Sequence, residues 1–140
     1  MLDLSTLNPP QRAAAEHTEG PLLVLAGAGS GKTRVITYRI GHLLLDKKVK
    51  AESILAVTVT NKAAGEMKER VRELVGRGKA KGMVISTFHS LGVRILRRDI
   101  ERLGYKKNFS IYTTSDQIGL IRQAMREVNA DGKKFDAETL

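Results

Sequence analysis

Residues 22–33 read Leu-Leu-Val-Leu-Ala-Gly-Ala-Gly-Ser-Gly-Lys-Thr, an apolar run followed directly by a glycine-rich turn and a Lys-Thr pair. A short continuous apolar run is typical of a strand buried on both faces, and the residues after Thr33 recur at helical spacing. Glycines let the backbone curl so that successive N–H groups point inward, and the N-terminus of a helix attracts anions. The order of strand, glycine turn and helix therefore predicts a loop that binds polyphosphate.

The predicted phosphate-binding residues form one unbroken segment: Ala26, Gly27, Ala28, Gly29, Ser30, Gly31, Lys32 and Thr33. In such a loop Lys32 supplies a positive charge to the β- and γ-phosphates, and the Thr33 hydroxyl is a ligand for Mg²⁺. These two residues are the catalytic candidates, and Thr33 is the metal candidate. The strict pattern opens with glycine rather than Ala26, but that position supplies neither charge nor ligand. A chance Gly-Lys-Thr in an ordinary turn is disfavoured because both flanking elements are present.

The rest of the chain alternates between apolar runs and amphipathic segments, and apolar residues recur at helical spacing over 35–44, 63–74 and 91–96. Runs at 54–59 and 83–86 predict two more buried strands, and Asn8 followed by Pro9 predicts a helix that begins there and ends near Thr18. Further predictions are a strand over 109–112 and a helix from a Ser115 cap through Val128. Strands that alternate with helices predict an α/β fold with a parallel sheet flanked by helices.

Composition and charge limit the classes of site, location and partner that the chain can have. The 140 residues include no cysteine, which excludes disulfides and zinc–cysteine sites, and no apolar run approaches the roughly 18 residues of a membrane span. No secretion signal opens the chain, so a cytoplasmic location without a membrane partner is expected. The net charge is +9, and residues 68–107 hold 12 Lys or Arg against 4 Asp or Glu. Charge alone leaves two interpretations open, a nucleic-acid partner or a solubilising face.

The phosphate loop does not by itself identify a reaction, because kinases, GTPases and helicases share it. No second apolar run ends in the Asp or Asp-Glu that usually holds Mg²⁺ in these enzymes. Asp116 follows the predicted 109–112 strand, but its position favours a helix cap over a metal ligand.

Four segments in the same order resemble motifs of the UvrD/Rep/PcrA group of superfamily 1A DNA helicases. In chain order they are similar to the adenine-reading Q motif, motif I, motif Ia and the motif called Ib or Ic: Leu7–Ala14, Ala26–Arg34, Thr58–Met67 and Ser86–Leu91. Residues 109–116 resemble the entry to the inserted helical subdomain of that family. Nearly the whole chain is covered.

The resemblance implies ATP and Mg²⁺ as cofactors. Gln11 would read the N6/N7 edge of adenine, and the flat guanidinium of Arg34 would stack on the base. If the resemblance to the family is set aside, the sequence pattern favours an ordinary exposed helix residue at Gln11. Single-stranded DNA would lie at the carboxyl ends of two strands, against Thr60, Asn61, Thr87, Phe88, His89 and Ser90. Val59 stands where the family usually has an aromatic residue, so one base-stacking contact is expected to be weak or absent.

The resemblance also implies a domain plan and an activity. Residues 1–108 would be the N-terminal part of a RecA-like P-loop NTPase domain, and residues 109–140 the start of its helical insertion. The Asp-Glu motif, the arginine fingers and the second RecA-like domain are expected beyond Leu140, so the chain alone is expected not to hydrolyse ATP.

The intact protein would be an ATP-dependent helicase or translocase. It would move 3′ to 5′ on single strands and at duplex junctions, in repair or replication. Two alternatives remain: the helicase part of a RecB/AddA-type helicase-nuclease, or a stand-alone nucleotide- and DNA-binding module.

Overall fold

A computed structural model describes residues 1–128 of the chain. Two compact units are present, Met1–Arg94 and a second that begins at Ile95. The elements in chain order are α1 (Pro9–Glu16), α2 (Lys32–Leu45), β1 (Leu55–Thr58), α3 (Asn61–Val75), β2 (Val84–Thr87), α4 (Phe88–Asp99) and α5 (Thr114–Glu127). Among these residues, no helix combines the length and apolarity needed to cross a bilayer. The domain boundary predicted after residue 108 stays a prediction.

The two strands form a small parallel sheet, as predicted for the runs at 54–59 and 83–86. Leu55 pairs with Val84, and the register continues to Thr58 opposite Thr87. The 15-residue helix α3 makes the crossover between the strands, since parallel neighbours need a long connection. Each strand has four residues, so its first and last Cα atoms lie about 10 Å apart at 3.3 Å per residue. The α/β class with a parallel sheet is confirmed.

The core of the first unit lies between α2, α3 and the sheet. Helix α3 buries residues at three-to-four spacing, and Val71 in this row is fully buried, with 0% of its surface exposed. The buried cluster comprises Ile40, Leu44, Ala51, Ile54, Ala56, Met67, Val71 and Val75. Helix α3 begins at a cap in which the Thr60 hydroxyl accepts the Ala63 N–H at 3.1 Å. Aliphatic side chains thus build the core, as the scarcity of aromatic residues requires.

Helix α1 begins where Asn8 and Pro9 predict. The Asn8 side chain accepts the Gln11 N–H at 3.0 Å, and the Gln11 side chain accepts the Asn8 N–H at 3.2 Å. This reciprocal pair is a capping box, and Pro9 fits the first turn because it has no N–H to satisfy. The helix ends at Glu16, two residues before Thr18, because the backbone of His17 is already extended.

The strand predicted over residues 22–25 is wrong for the part of the chain that the structure describes. These four residues have no strand assignment, and their side chains are exposed, Leu23 at 83% and Leu25 at 88%. A strand exists only beside a hydrogen-bonded partner, and here β1 and β2 pair with each other. The apolar character of this run favours burial, but no segment within residues 1–128 covers it.

The strand predicted over residues 109–112 is also absent from the described residues, and Ile111 and Tyr112 are exposed. The next helix is capped by Thr113, not by Ser115 as predicted, because the Thr113 hydroxyl accepts the Asp116 N–H while the Asp116 carboxylate accepts from Thr113. Hydrogen bonds from the Thr113 side chain and backbone lower the pKa of Asp116. Asp116 is therefore a capping residue, as predicted. The part of the predicted insertion over 109–140 that follows Val128 lies outside the described residues.

Candidate functional site

A cleft of about 630 Å³ lies between α1, the segment that precedes the glycine-rich turn, and α2. Helix α1 contributes Gln11, the turn contributes Gly27 and Ser30, and α2 contributes Lys32 and Arg39. The remaining lining residues are mostly apolar: Asn8, Pro10, Ala14, Leu22, Val24, Leu25, Ala26, Val35 and Ile36. The predicted phosphate loop and the predicted adenine-reading residue therefore share one cleft.

The turn before α2 depends on two glycines. Gly29 and Gly31 have φ angles of 75° and 86°, in the left-handed region that side-chain-bearing residues rarely adopt. Gly31 is the N-cap of α2, and a Cβ there would lie 2.9 Å from the Gln11 Nε2 atom. Ser30 closes the turn by donating its hydroxyl to the Gly27 carbonyl at 2.7 Å. The glycines allow both the turn and the close approach of α1.

Lys32 is the first residue of α2, and its side chain folds back over the turn. The Nζ atom donates to the Ala26 carbonyl at 3.1 Å and to the Gly27 carbonyl at 2.7 Å. Thr33 follows in the exposed first turn of the helix. An ammonium group, a hydroxyl and the positive end of a helix are thus placed together, which is an arrangement suited to anions.

Gln11 uses both ends of its amide. Its Oε1 atom accepts the Asn8 N–H in the capping box, and its Nε2 atom donates to the Ser30 carbonyl at 2.9 Å. Gln11 is therefore not an unattached surface residue, since it ties the start of α1 to the glycine turn. The second contact could not be read from sequence, because it depends on how α1 meets the loop.

The two arginines of α2 lie in different surroundings. The Arg34 guanidinium lies over the Tyr38 ring, 5.6 Å from its centroid, and lines a depression formed with residues of α3 rather than the cleft. Arg39 lines the cleft and donates to the Ala14 carbonyl at 2.9 Å. The sequence reading overlooked Arg39, although its spacing of seven residues from Lys32 places the two on one helix face.

Polar residues meet at the carboxyl edge of the sheet, where β1 and β2 end. The Thr87 hydroxyl accepts the Ser90 N–H at 3.1 Å and donates to the Ser90 Oγ atom at 2.9 Å. Ser90 Oγ in turn lies 3.5 Å from the Asn61 Oδ1 atom. Because both strands run in one direction, Thr60-Asn61 and Thr87–Ser90 come together as predicted, although these contacts also serve as helix caps.

Three side chains beside this edge face solvent. Phe88 is 66% exposed, Val59 is 84% exposed, and His89 is also exposed. An exposed aromatic ring is unusual for a packing residue, whereas it suits stacking against a flat ligand. The edge thus combines hydroxyls, an amide and one uncovered ring.

Comparison with known proteins gives the family. Residues 7–140 match the model of the UvrD/REP helicase N-terminal domain. The chain is 56% identical over 137 residues to the ATP-dependent DNA helicase PcrA of Bacillus subtilis (strain 168), covering 98% of this chain and 18% of that protein. It is 53% identical to the PcrA of Staphylococcus aureus (strain Mu50 / ATCC 700699) over 133 residues, which are 95% of this chain and 18% of the relative.

The chain therefore spans under a fifth of the length of these curated relatives. The glycine turn and Lys32, which resemble motif I, line the same cleft as Gln11, which lies in the segment that resembles the Q motif. By sequence the chain belongs to the UvrD/REP helicase family and corresponds to the N-terminal domain of that family.

Proposed function

We propose that this chain is the ATP-binding N-terminal portion of an ATP-dependent DNA helicase. The observation that supports this most directly is the shared cleft, where an anion-binding helix N-terminus faces a glutamine able to recognise a base. We propose a RecA-like fold for the intact domain.

Phosphate binding requires Lys32 to exchange partners. In the empty loop its ammonium group satisfies the Ala26 and Gly27 carbonyls, so the side chain is held above the turn. A β- or γ-phosphate offers charged oxygens, which make stronger hydrogen bonds to an ammonium than neutral carbonyls do. Thr33, beside Lys32 on the first helical turn, would hold Mg²⁺ through its hydroxyl, and the ion would neutralise phosphate charge.

Adenine recognition would likewise redirect Gln11. The Nε2 atom can donate to adenine N7 and the Oε1 atom can accept from the N6 amino group, whereas guanine offers an acceptor at O6. To do so, Gln11 must release or share its bonds to Ser30 and Asn8. Arg34 would have to leave Tyr38 to stack on the base.

We expect the native chain to bind ATP more tightly than GTP, and Gln11→Ala to shrink that preference by about 10-fold, the value of one lost hydrogen-bond pair of about 1.4 kcal/mol. Titration with fluorescent ATP and GTP analogues measures both affinities. Gln117→Ala, a glutamine on α5, is the matched control and should preserve the preference. Equal affinities of the native chain for ATP and GTP would refute the role given to Gln11.

Single-stranded DNA is proposed to lie along the carboxyl edge of the sheet. Thr60, Asn61, His89 and Ser90 would donate to phosphates, and the exposed Phe88 ring would stack on a base. Thr87 is 5% exposed and donates its hydroxyl to Ser90, so in this proposal it would position Ser90 at the groove. Val59 offers no comparable stacking surface. The opposite wall of such a groove would come from a second RecA-like domain.

Unwinding by the longer protein tests the proposed function as a whole. A full-length protein that carries this chain should displace a strand from a partial duplex with a 3′ single-stranded tail, in the presence of ATP and Mg²⁺. Translocation from 3′ to 5′ requires that a 5′ tail does not support displacement. Lys32→Ala should abolish the reaction, and ATP-independent displacement would contradict the proposal.

Two other assignments would predict different outcomes. A helicase-nuclease would also degrade the displaced strand, and a stand-alone binding module would bind ATP and DNA without displacing either strand. We also propose a role in repair or replication at duplex junctions and a cytoplasmic location.

A further inference from the structure

Six basic side chains gather at the edge of the first unit opposite to the carboxyl edge. They occupy two loops, one that leads from α2 to β1 and one that leads from α3 to β2: Lys47, Lys48, Lys50, Arg77, Lys79 and Lys81. Both loops precede a strand, so they lie at the amino ends of the sheet, and the strand starts to which they lead are about 10 Å from Thr58 and Thr87. Three of the seven Lys and Arg residues between positions 68 and 94 of the first unit are therefore remote from the proposed single-strand groove.

The two loops form one surface, which we call the basic edge. A Cβ added to Gly82 would lie 2.7 Å from a Glu52 carboxylate oxygen, so the loops are in direct contact. Val49 and Ala80, one from each loop, pack against the same buried cluster. Since their apolar residues turn inward, the loops present their charged residues outward, and all six cations are exposed.

Ion pairing within the fold does not account for this charge. The loops contain two acidic residues, Asp46 and Glu52, and the Asp46 carboxylate is directed at His42 and the Leu2 N–H. Of the six cations, Lys48 alone has a described protein partner, the Leu45 carbonyl at the end of α2. Capping of a helix end therefore explains Lys48, whereas the other five cations outnumber the one remaining loop carboxylate, Glu52, and leave a net positive surface within residues 1–128.

We propose that the basic edge binds the phosphate backbone of duplex DNA. The loops contain no aromatic residue, so they offer nothing for unpaired bases to stack on. They also expose no large apolar side chain of the kind that anchors protein partners. Gly76 and Gly78 leave open space where a side chain would stand, which lets a backbone approach closely. The phosphate backbone of a duplex presents regularly spaced charges and needs no base contacts. It therefore fits a surface with no aromatic residue, no large exposed apolar side chain and two glycines that leave open space.

Fluorescence anisotropy with the 140-residue chain tests this surface. The probes are a labelled blunt 20-base-pair duplex and a single strand of the same length. The triple variant Arg77→Gln, Lys79→Gln, Lys81→Gln should lose at least about 10-fold in duplex affinity at low salt, and its log–log salt slope should be shallower by about 2.7, at 0.9 per phosphate contact. Its affinity for the single strand should change less than about twofold, because that site lies at the other edge.

The matched control removes the same net charge from α3, with Lys68→Gln, Arg70→Gln and Arg72→Gln, of which the first two side chains are exposed and the third is half-buried. This variant should retain duplex affinity within about threefold if position rather than net charge matters. Both variants should keep the native thermal midpoint and ATP affinity, which establishes that they are folded. An equal loss in both variants, or no duplex binding by the native chain, would overturn the proposal.

A competition experiment separates duplex DNA from an acidic protein. Unlabelled duplex should displace the labelled duplex at lower concentration than polyglutamate of equal charge. If polyglutamate competes as well or better, the basic edge is a docking surface for an acidic polypeptide and the proposal is wrong. Because ATP affinity is measured separately, these outcomes do not depend on the ATP site.

Discussion

Lys32→Ala is expected to weaken ATP binding by about 100-fold, or about 2.7 kcal/mol at 1.4 kcal/mol per tenfold change. The side chain supplies a full positive charge at the N-terminus of α2, where the phosphates would carry several negative charges. In the empty loop the same group donates only to the Ala26 and Gly27 carbonyls, and it is exposed to solvent. Its removal should therefore reduce affinity with little effect on folding, as titration calorimetry with ATP and Mg²⁺ can measure.

Lys47→Ala provides the control for this measurement. It removes an equally exposed lysine from the opposite edge of the same unit, so the change in net charge is identical. We expect its ATP affinity to stay within about twofold of the native value, because exposed charges beyond a Debye length of about 10 Å are largely screened. A Lys32→Ala chain that binds ATP as tightly as the native chain would show that the phosphates bind elsewhere.

Val71→Asp is expected to unfold the first unit. Val71 is fully buried in the core cluster, and a carboxylate placed there would lose its hydration without gaining a partner. The cost of burying an unpaired charge is several kcal/mol, which is a large share of the 5–15 kcal/mol that stabilises a typical domain. Urea denaturation followed by circular dichroism should find the helical signal of the first unit lost or its midpoint strongly reduced.

Val59→Asp is the matched comparison, since Val59 is 84% exposed. The same substitution there should change the free energy of unfolding by no more than about 0.5 kcal/mol, as surface changes usually do. Similar destabilisation of the two variants would mean that α3 does not pack against the sheet as described.

Local sequence patterns predicted the helices, whose backbone hydrogen bonds form within one segment, and the two strands that pair with each other. The spacing of apolar residues located α2, α3 and α4, and the Asn8–Pro9 pair located the start of α1. Residues 22–25 were predicted as a strand because their apolar character suits burial. A strand, however, depends on partners distant in sequence, and the described residues supply none to this segment. The same dependence explains the missing strand at 109–112.

The candidate site was predicted in part. The glycine turn and Lys32 lie together because they belong to one motif with a fixed local geometry, whereas Gln11 reaches the same cleft because α1 packs against the turn. The side-chain partners could not be predicted, since they depend on how helices approach the loop. Gln11 bonded to the Ser30 carbonyl and Arg34 resting on Tyr38 are such contacts. The presence of Arg39 in the cleft could have been predicted from its position two turns after Lys32.

We propose that the first unit binds ATP at the cleft and single-stranded DNA at a separate set of residues on the carboxyl edge. Anisotropy of a labelled oligonucleotide across a salt series, with ATP affinity measured in parallel, tests it most directly. A half groove that contacts roughly two to four phosphates should give a log–log salt slope of about −1.5 to −3.

The double variant Asn61→Ala, His89→Ala should weaken oligonucleotide binding and leave ATP affinity nearly unchanged. The control is Asn108→Ala with His17→Ala, which removes the same two residue types from exposed positions elsewhere and should bind like the native chain. Salt-insensitive binding, or a double variant that binds the oligonucleotide as tightly as the native chain, would contradict the claim.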